Sequence, residues 1–294
     1  MVRVILLLVL FALTGKTYGQ QGPFHPQAGE LGSNAIHKDS TIIRFWATSC
    51  QFNAGLRQIN LPDSGVANSG NANYTIGKAD APLVLSLGDS GLATFTFAGR
   101  IYNDEGPDLV VFENGFGFGE EAFLEFAFVE VSSDGEHFFR FPAQSLRDTS
   151  AQLSSFGYSD ASLYHNLAGK YIANYGVPFD LDEIPDTNLL DKSSVSHVRV
   201  VDVIGTINPE FASRDAFGRI INDPWPTNFP QGGFDLDAIG VIHSTIPLSI
   251  KELQSYYEST SYELDLLGRV GSKNTTIELR QNPDGSILKI IRAD

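Results

Sequence analysis

The sequence predicts an all-β fold, a sandwich or barrel, on three observations. Short runs rich in β-branched and aromatic residues recur along the chain, Gly-, Asp- and Pro-rich breaks separate them, and helical periodicity is almost absent. No segment repeats at a fixed period, which argues against a solenoid or propeller.

Taken in chain order, the first element reads as a leader. Arg3 supplies a positive start, residues 4–13 (VILLLVLFAL) are uninterruptedly apolar, and Thr17 and Gly19 are small. The run is short of the roughly 20 residues a spanning helix needs and fits a signal peptide, residues 1–19, cleaved before Gln20. No cysteine stands at the end of the apolar run, so lipoprotein processing there is not expected. The chain carries 20 basic and 35 acidic residues, a net charge of −15. Losing Arg3 and Lys16 with the leader would leave it at −17, a charge that repels nucleic acid and anionic membranes. A hydrophobic content of 42% is ample for a packed core, so the charge does not signal disorder. The one cysteine, Cys50, excludes an intramolecular disulfide and reads as a small hydrophobe.

Strands are expected at residues 92–97 (LATFTF), 109–112, 126–131 (FAFVEV), 198–204 (VRVVDVI) and 239–242, with a hairpin turn at 133–136 (SDGE). Trp46, after Ile42-Ile-Arg-Phe45, reads as core. Residues 143–192 hold little strand pattern and are expected to form a long irregular segment. A short helix is expected near 248–257 and strands at 262–269 and 285–291, around an Asn-Pro-Asp-Gly turn at 282–285. The composition changes after Pro247. The organisation is therefore a leader (1–19), a ligand-binding sandwich (20–247) and a β-rich C-terminal segment (248–294).

Among candidate functional residues, the acidic loop 103–108 (NDEGPD) is the first choice for a metal. Calcium takes six to eight oxygen ligands, and Gly106 and Pro107 would shape the turn that presents them. Asp235 and Asp237, two apart on a strand, should share a face, and Glu113 ends another strand. A structural calcium would draw on Asp104, Asp108, Glu113, Asp235 and Asp237; the alternative is a solvated acidic loop. Glu130 and Asp202 interrupt apolar strands and call for partners, for which Arg140 and Arg199 are the candidates, or an edge position. A glycan hydrolase or lyase would use Glu113, Glu130 or Asp237, with a carboxylate separation that sequence does not supply. The six histidines lack zinc-ligand spacing, and no nucleophile motif occurs.

Aromatic residues carry the case for ligand binding. Trp225 lies between Pro224 and Pro226 and cannot belong to a central strand; Tyr158, Tyr164, Tyr171 and Tyr175 fall in the irregular segment. Such rings stack on sugars or other flat ligands, or else pack their own loop. Together, Trp225 and these four tyrosines are the expected binding face.

Residues 85–91 (LSLGDSG), 108–116 (DLVVFENGF), 128–135 (FVEVSSDG) and 233–240 (GFDLDAIG), with 166–170 (NLAGK) and 223–227 (DPWPT), resemble a family of bacterial cell-surface proteins over residues 29–243. The resemblance implies a jelly-roll sandwich of the galactose-binding type. It also implies a place near cobalamin scavenging, so a corrinoid joins carbohydrate as an expected ligand. Residues 265–269 (DLLGR) and 284–289 (DGSILK) resemble the end of the sorting domains of the type IX secretion system. That implies a Bacteroidetes-like source, a secretion-machinery partner and display at the outer surface. The expected function is a secreted, non-catalytic binding module; the alternatives are a glycan-active hydrolase or lyase and a structural or adhesive surface protein.

Overall fold

In the computed structural model the protein is described over residues 22–119, 121–245, 275–281 and 287–293. The chain runs through β1 (Ile36–His37), β2 (Phe45–Trp46), β3 (Ser49–Asn53), β4 (Leu85–Ser86), β5 (Leu92–Ile101) and β6 (Leu109–Glu113). It continues through β7 (Phe116–Phe118), β8 (Glu121–Phe123), β9 (Ala127–Ser132), β10 (Phe139–Arg140), β11 (Gln144–Ser145) and β12 (Tyr158–Asp160). The remaining strands are β13 (Tyr164–His165), β14 (Tyr175–Phe179), β15 (Val195–Asp202), β16 (Asp235–Val241), β17 (Thr275–Gln281) and β18 (Ile287–Ala293). Among the described residues the helical content is four 3₁₀ turns, so the protein is almost all β.

Two antiparallel sheets form the sandwich. One has the order β1-β14-β6-β16-β2, with β4 also on β16; the other has the order β10-β9-β15-β5-β3. Alternation decides what lies between them. Val129 and Val131 of β9, Val198 and Val200 of β15 and Phe95 of β5 meet Leu109 and Val111 of β6, Phe179 of β14 and Ile239 of β16 in one buried cluster. Each large side chain buried here contributes about 1.5–3 kcal/mol. β6 is buried on both faces, because Val110 and Phe112 on its outer side are covered by Ile36, Ile43 and Trp46. Trp46 is therefore a half-buried cover over Phe112, ring centroids 5.5 Å apart, rather than part of the main core.

The five expected strands form, with ends shifted by a few residues. The Ser-Asp-Gly-Glu break does join antiparallel strands, β9 and β10, but the connection is six residues long. Asp134 organises it by accepting from the backbone of Glu136 and His137 and from the His137 ring. The main departure lies in residues 143–192, which contribute β14 to the interior of a sheet. Gly176 and Pro178 mask this strand in the sequence. Gly176 is required by packing, since a Cβ there would sit 2.4 Å from Val110 Cγ2. Pro178 is tolerated because β1 pairs only with Tyr175 and Gly176 and leaves the edge beside Pro178 uncovered. β17 and β18 form a hairpin, placing a strand at 275–281 that the sequence pattern did not announce. The leader, the 248–257 helix, the 262–269 strand and the 282–285 turn lie outside the described residues. No helix among the described residues is long and apolar enough to cross a membrane.

Candidate functional site: carboxylates and aromatic rings at one end of the sandwich

The loops that follow β4, β6 and β15 and precede β9 and β16 gather at one end of the sandwich, because these strands are antiparallel neighbours in register. Leu236 pairs with Glu113, and Asp202 pairs with Ala127. Glu113 shares the parity of Leu109 and Val111, and Asp202 that of Val198 and Val200, so each continues the inward-facing row of its sheet. Asp89, Glu125, Asp223 and Asp235 join them, and all six carboxylates are buried or nearly so.

Their hydrogen bonds come mostly from backbone and hydroxyl donors. Asp202 accepts from Phe234 N at 2.7 Å and Ser90 N at 3.0 Å; Asp89 accepts from Ile59 N and the Thr227 hydroxyl. Gly233 makes the first of these possible. It sits at φ +76°, and a Cβ there would fall 2.6 Å from Asp202 Oδ1. Asp235 accepts from the Ser86 hydroxyl and from Asn114 Nδ2. Glu113 Oε2 accepts from Gly115 N at 2.6 Å and Asp223 Oδ2 from Phe126 N at 3.0 Å. The second oxygen of each, Glu113 Oε1 and Asp223 Oδ1, is buried without a partner.

Charge among these groups is uncompensated. Burial holds the Glu113 carboxyl well above the usual range, and Asp235 reinforces it. Glu125 is raised by burial and then by Asp235, Glu113, Asp223 and Asp202. Asp202 and Asp223 are raised by burial, with Asp89 adding to both. No lysine or arginine figures among the main influences on these four. Among the described residues, no three Asp, Glu, His or Cys side chains are placed to hold a metal ion.

The same end carries a row of exposed aromatic rings. β12, β8 and β7 form a small sheet in which Tyr158 pairs with Phe123 and Phe123 with Phe116, so the three share a face. Phe116 stacks on Phe123 at 4.9 Å and meets the edge of Tyr158 at 6.3 Å. Phe123 continues to Phe156 at 6.2 Å, and Phe156 to Phe229 at 5.8 Å. Phe123 is the buried keystone, while Phe116, Phe156, Tyr158 and Phe229 are 53%, 67%, 43% and 41% exposed. Trp225 adjoins the row: its backbone N–H donates to Leu153 O, and Ser155 donates to Pro226 O. Its ring is half-buried, and the indole N–H is directed toward Asp89 without reaching hydrogen-bonding geometry.

Several sequence expectations change. Tyr164 and Tyr171 are fully buried, Tyr164 against Phe126 with its hydroxyl on Ser159 and Tyr171 with its hydroxyl on Asn34. Neither ring is open to a ligand; both pack the loop that carries them. Tyr175 is half-buried in β14 and packs against His37, with no ring contact to the aromatic row among the described residues. Tyr158 belongs to that row, and Trp225 adjoins it through backbone hydrogen bonds, with no ring contact to it among the described residues.

The expected calcium ligands do not form one set. Asp108 and Glu113 stand at opposite ends of β6, about 16 Å apart at the ordinary strand rise. Asp108 is saturated internally, accepting from Asp104 N, Leu181 N and the His243 ring, and the Asp104 carboxylate accepts from Glu105 N. A bulge between Leu236 and Ala238 separates Asp235 from Asp237, which accepts instead from Asp80 N. Burial pushes Asp237 up to about 6. Glu130 lies on the outer face of the second sheet between Arg140 and Arg199. Glu113, Glu130 and Asp237 thus occupy three separate environments.

Glu125, Asp223, Phe116, Phe156 and Phe229 were not singled out from the sequence. Glu125 and Asp223 adjoin apolar segments, a pattern that signals burial, but their convergence depends on strand register. No family model, curated relative or solved structure matches this chain.

Proposed function

We propose that the protein is a secreted, surface-displayed, non-catalytic binding module whose ligand lies on the aromatic row at the loop end of the sandwich. The observation that carries this reading is the row itself: Phe116, Phe156, Tyr158 and Phe229 stand exposed in linked contact around the buried Phe123. Isolated exposed apolar residues are ordinary, but contiguous patches mark interaction sites. Rigid rings stack on flat ligand faces at little entropic cost. Polar groups stand close by, with Arg147 bonded to Tyr158 O and Ser159 and Gln152 bridging several backbone carbonyls. Apolar faces beside such donors suit a carbohydrate or a corrinoid. Export by a signal peptide and display through the C-terminal segment complete the proposal.

The test is calorimetric titration of oligosaccharides and cobalamin into the full chain. At least one should bind saturably, and Phe116→Ser or Phe156→Ser should weaken it about tenfold each, in keeping with a stacking contact plus its buried area. Tyr175→Phe should leave the affinity unchanged. Binding that ignores the phenylalanine substitutions would place the ligand elsewhere, and no binding at all would favour an adhesive role.

A further inference from the structure

We infer that two adjoining clefts along the last part of β5 form a second binding site, for a small organic anion. Arg100 holds its acid group beside His197, and its flat apolar body crosses Ala98 onto Trp46, with Arg44 at the rim. The site is built by a break in the sheet. β15 passes from Val195 to His197 while β5 passes from Ile101 to Thr96, so residues 97–100 leave the ladder as a bulge. Bulges re-aim side chains, and this one is pinned. Thr245 N donates to Arg100 O at 2.9 Å, and Arg100 N donates to Thr245 Oγ1 at 2.9 Å. A Cβ on Gly99 would fall 2.5 Å from Thr245 O, so the close approach calls for glycine and Arg100 projects from a fixed backbone. The acid cluster lies toward the other end of β5, where Leu92 pairs with Val201 next to Asp202.

The two clefts meet at Ala98. One, of about 300 Å³, is lined by Arg100 and His197; the other, of about 470 Å³, is lined by Arg44, Trp46 and Ile76. These are the sizes of small-molecule sites. Charge sets the ligand class. Across residues 22–245 every other arginine side chain donates to a carboxylate, an amide, a hydroxyl or a backbone carbonyl. Arg44 and Arg100 bond only through their backbone among the described residues, in a chain with 35 acids against 20 bases. A guanidinium fork matches the geometry of a carboxylate or phosphate. The His197 ring is anchored through Nδ1 to Ser196 Oγ at 2.7 Å. Burial, and then Arg100, hold this imidazole below its usual range, against the opposing charge of Asp134. Asp134 is itself engaged by His137 and the backbone, so it leaves the arginine free for an incoming anion. The second cleft supplies the apolar part: Trp46 covers Phe112 with part of its ring and lines the cleft with the rest, a surface on which a flat body stacks.

The experiment is calorimetric titration of phenyl phosphate and benzoate into the full chain, with benzyl alcohol as the uncharged control. At least one of the two anions should bind saturably, and about tenfold or more tighter than benzyl alcohol. Arg100→Gln should weaken that binding about tenfold, the worth of one charge-assisted hydrogen bond. Ala98→Phe, which fills the saddle between the clefts without touching charge, should do the same. Both positions are exposed, so neither change threatens folding. Arg214→Gln, at an arginine bonded to Gly218 O, should leave the affinity unchanged. The tighter of the two anions identifies the acid group that the site prefers. The inference is overturned if neither anion binds, if benzyl alcohol binds as tightly, or if the Arg100 and Ala98 variants bind as wild type does.

Discussion

Glu130 and Glu113 are both glutamates buried in antiparallel strands, and the protein treats them in opposite ways. Glu130 faces outward on the second sheet, where Arg140 bonds its Oε1 at 2.7–2.9 Å and Arg199 its Oε2 at 2.5–2.6 Å. The two guanidinium groups lie over Phe128 and Phe138, 3.9 and 3.8 Å from the ring centroids, and roof the strand with planar layers. Glu113 faces inward among other acids, with one backbone donor and one unpartnered oxygen. The first arrangement is complete within the fold. The second leaves one oxygen unpartnered, and it sits at the same end of the sandwich as the exposed rings.

The largest effect expected from breaking this contrast is on the complete side. Replacing both Arg140 and Arg199 with Met should cost about 3–5 kcal/mol in urea unfolding, because Glu130 is left buried and alone. Adding Glu130→Gln to that pair should return most of the loss. Recovery would show that charge, not arginine packing, sets the cost.

At the other end the same chemical change should have the opposite sign. In chelator at pH 7, Glu113→Gln combined with Glu125→Gln should leave the protein as stable as wild type or more so by about 1–2 kcal/mol, since it removes repulsion rather than a pair. A loss above about 2 kcal/mol would mean that the cluster is already compensated.

The pH dependence sharpens this further. Glu113, Glu125, Asp202 and Asp223 have folded pKa values above their unfolded ones. Each keeps its proton longer in the fold, so its contribution is full below the unfolded value of about 4 and is lost as pH rises through the folded one. The melting temperature in chelator should therefore fall from pH 4.5 toward 7.5, and Asp237, raised to about 6, should contribute to the early part of that fall. A melting temperature that rises over this range would contradict the uncompensated cluster.

The smallest stability effect belongs to the aromatic row. Phe116→Ser and Phe156→Ser should each change unfolding free energy by less than about 1 kcal/mol, because these rings are more than half exposed. A substitution that weakens ligand binding but leaves stability nearly untouched would separate function from folding there.

Much of the framework was legible along the chain. The runs at 92–97, 109–112, 126–131 and 198–204 each became a strand, because branched and aromatic residues favour extended backbone, alternating with polar residues in β5 and β15 and nearly unbroken in β6 and β9, which are buried throughout. β14 was hidden because Gly176 and Pro178 carry local penalties that only their neighbours remove. Tyr164 and Tyr171 were assigned to a surface on the strength of an irregular segment, yet irregular backbone can fold its own aromatics inward. Asp235 and Asp237 looked like a pair until one bulge sent them to different neighbours.

The sequence by itself determined the all-β class, the inward and outward parity of its strongest strands and the presence of acids in apolar surroundings, since these follow from local alternation and composition. Only the tertiary structure decided which acids meet and which rings stay exposed. Glu113, Glu125, Asp202 and Asp223 lie up to 110 positions apart, and Phe116 and Phe229 up to 113. Their meeting follows from strand order and register, which pairing across two sheets sets and no local pattern encodes.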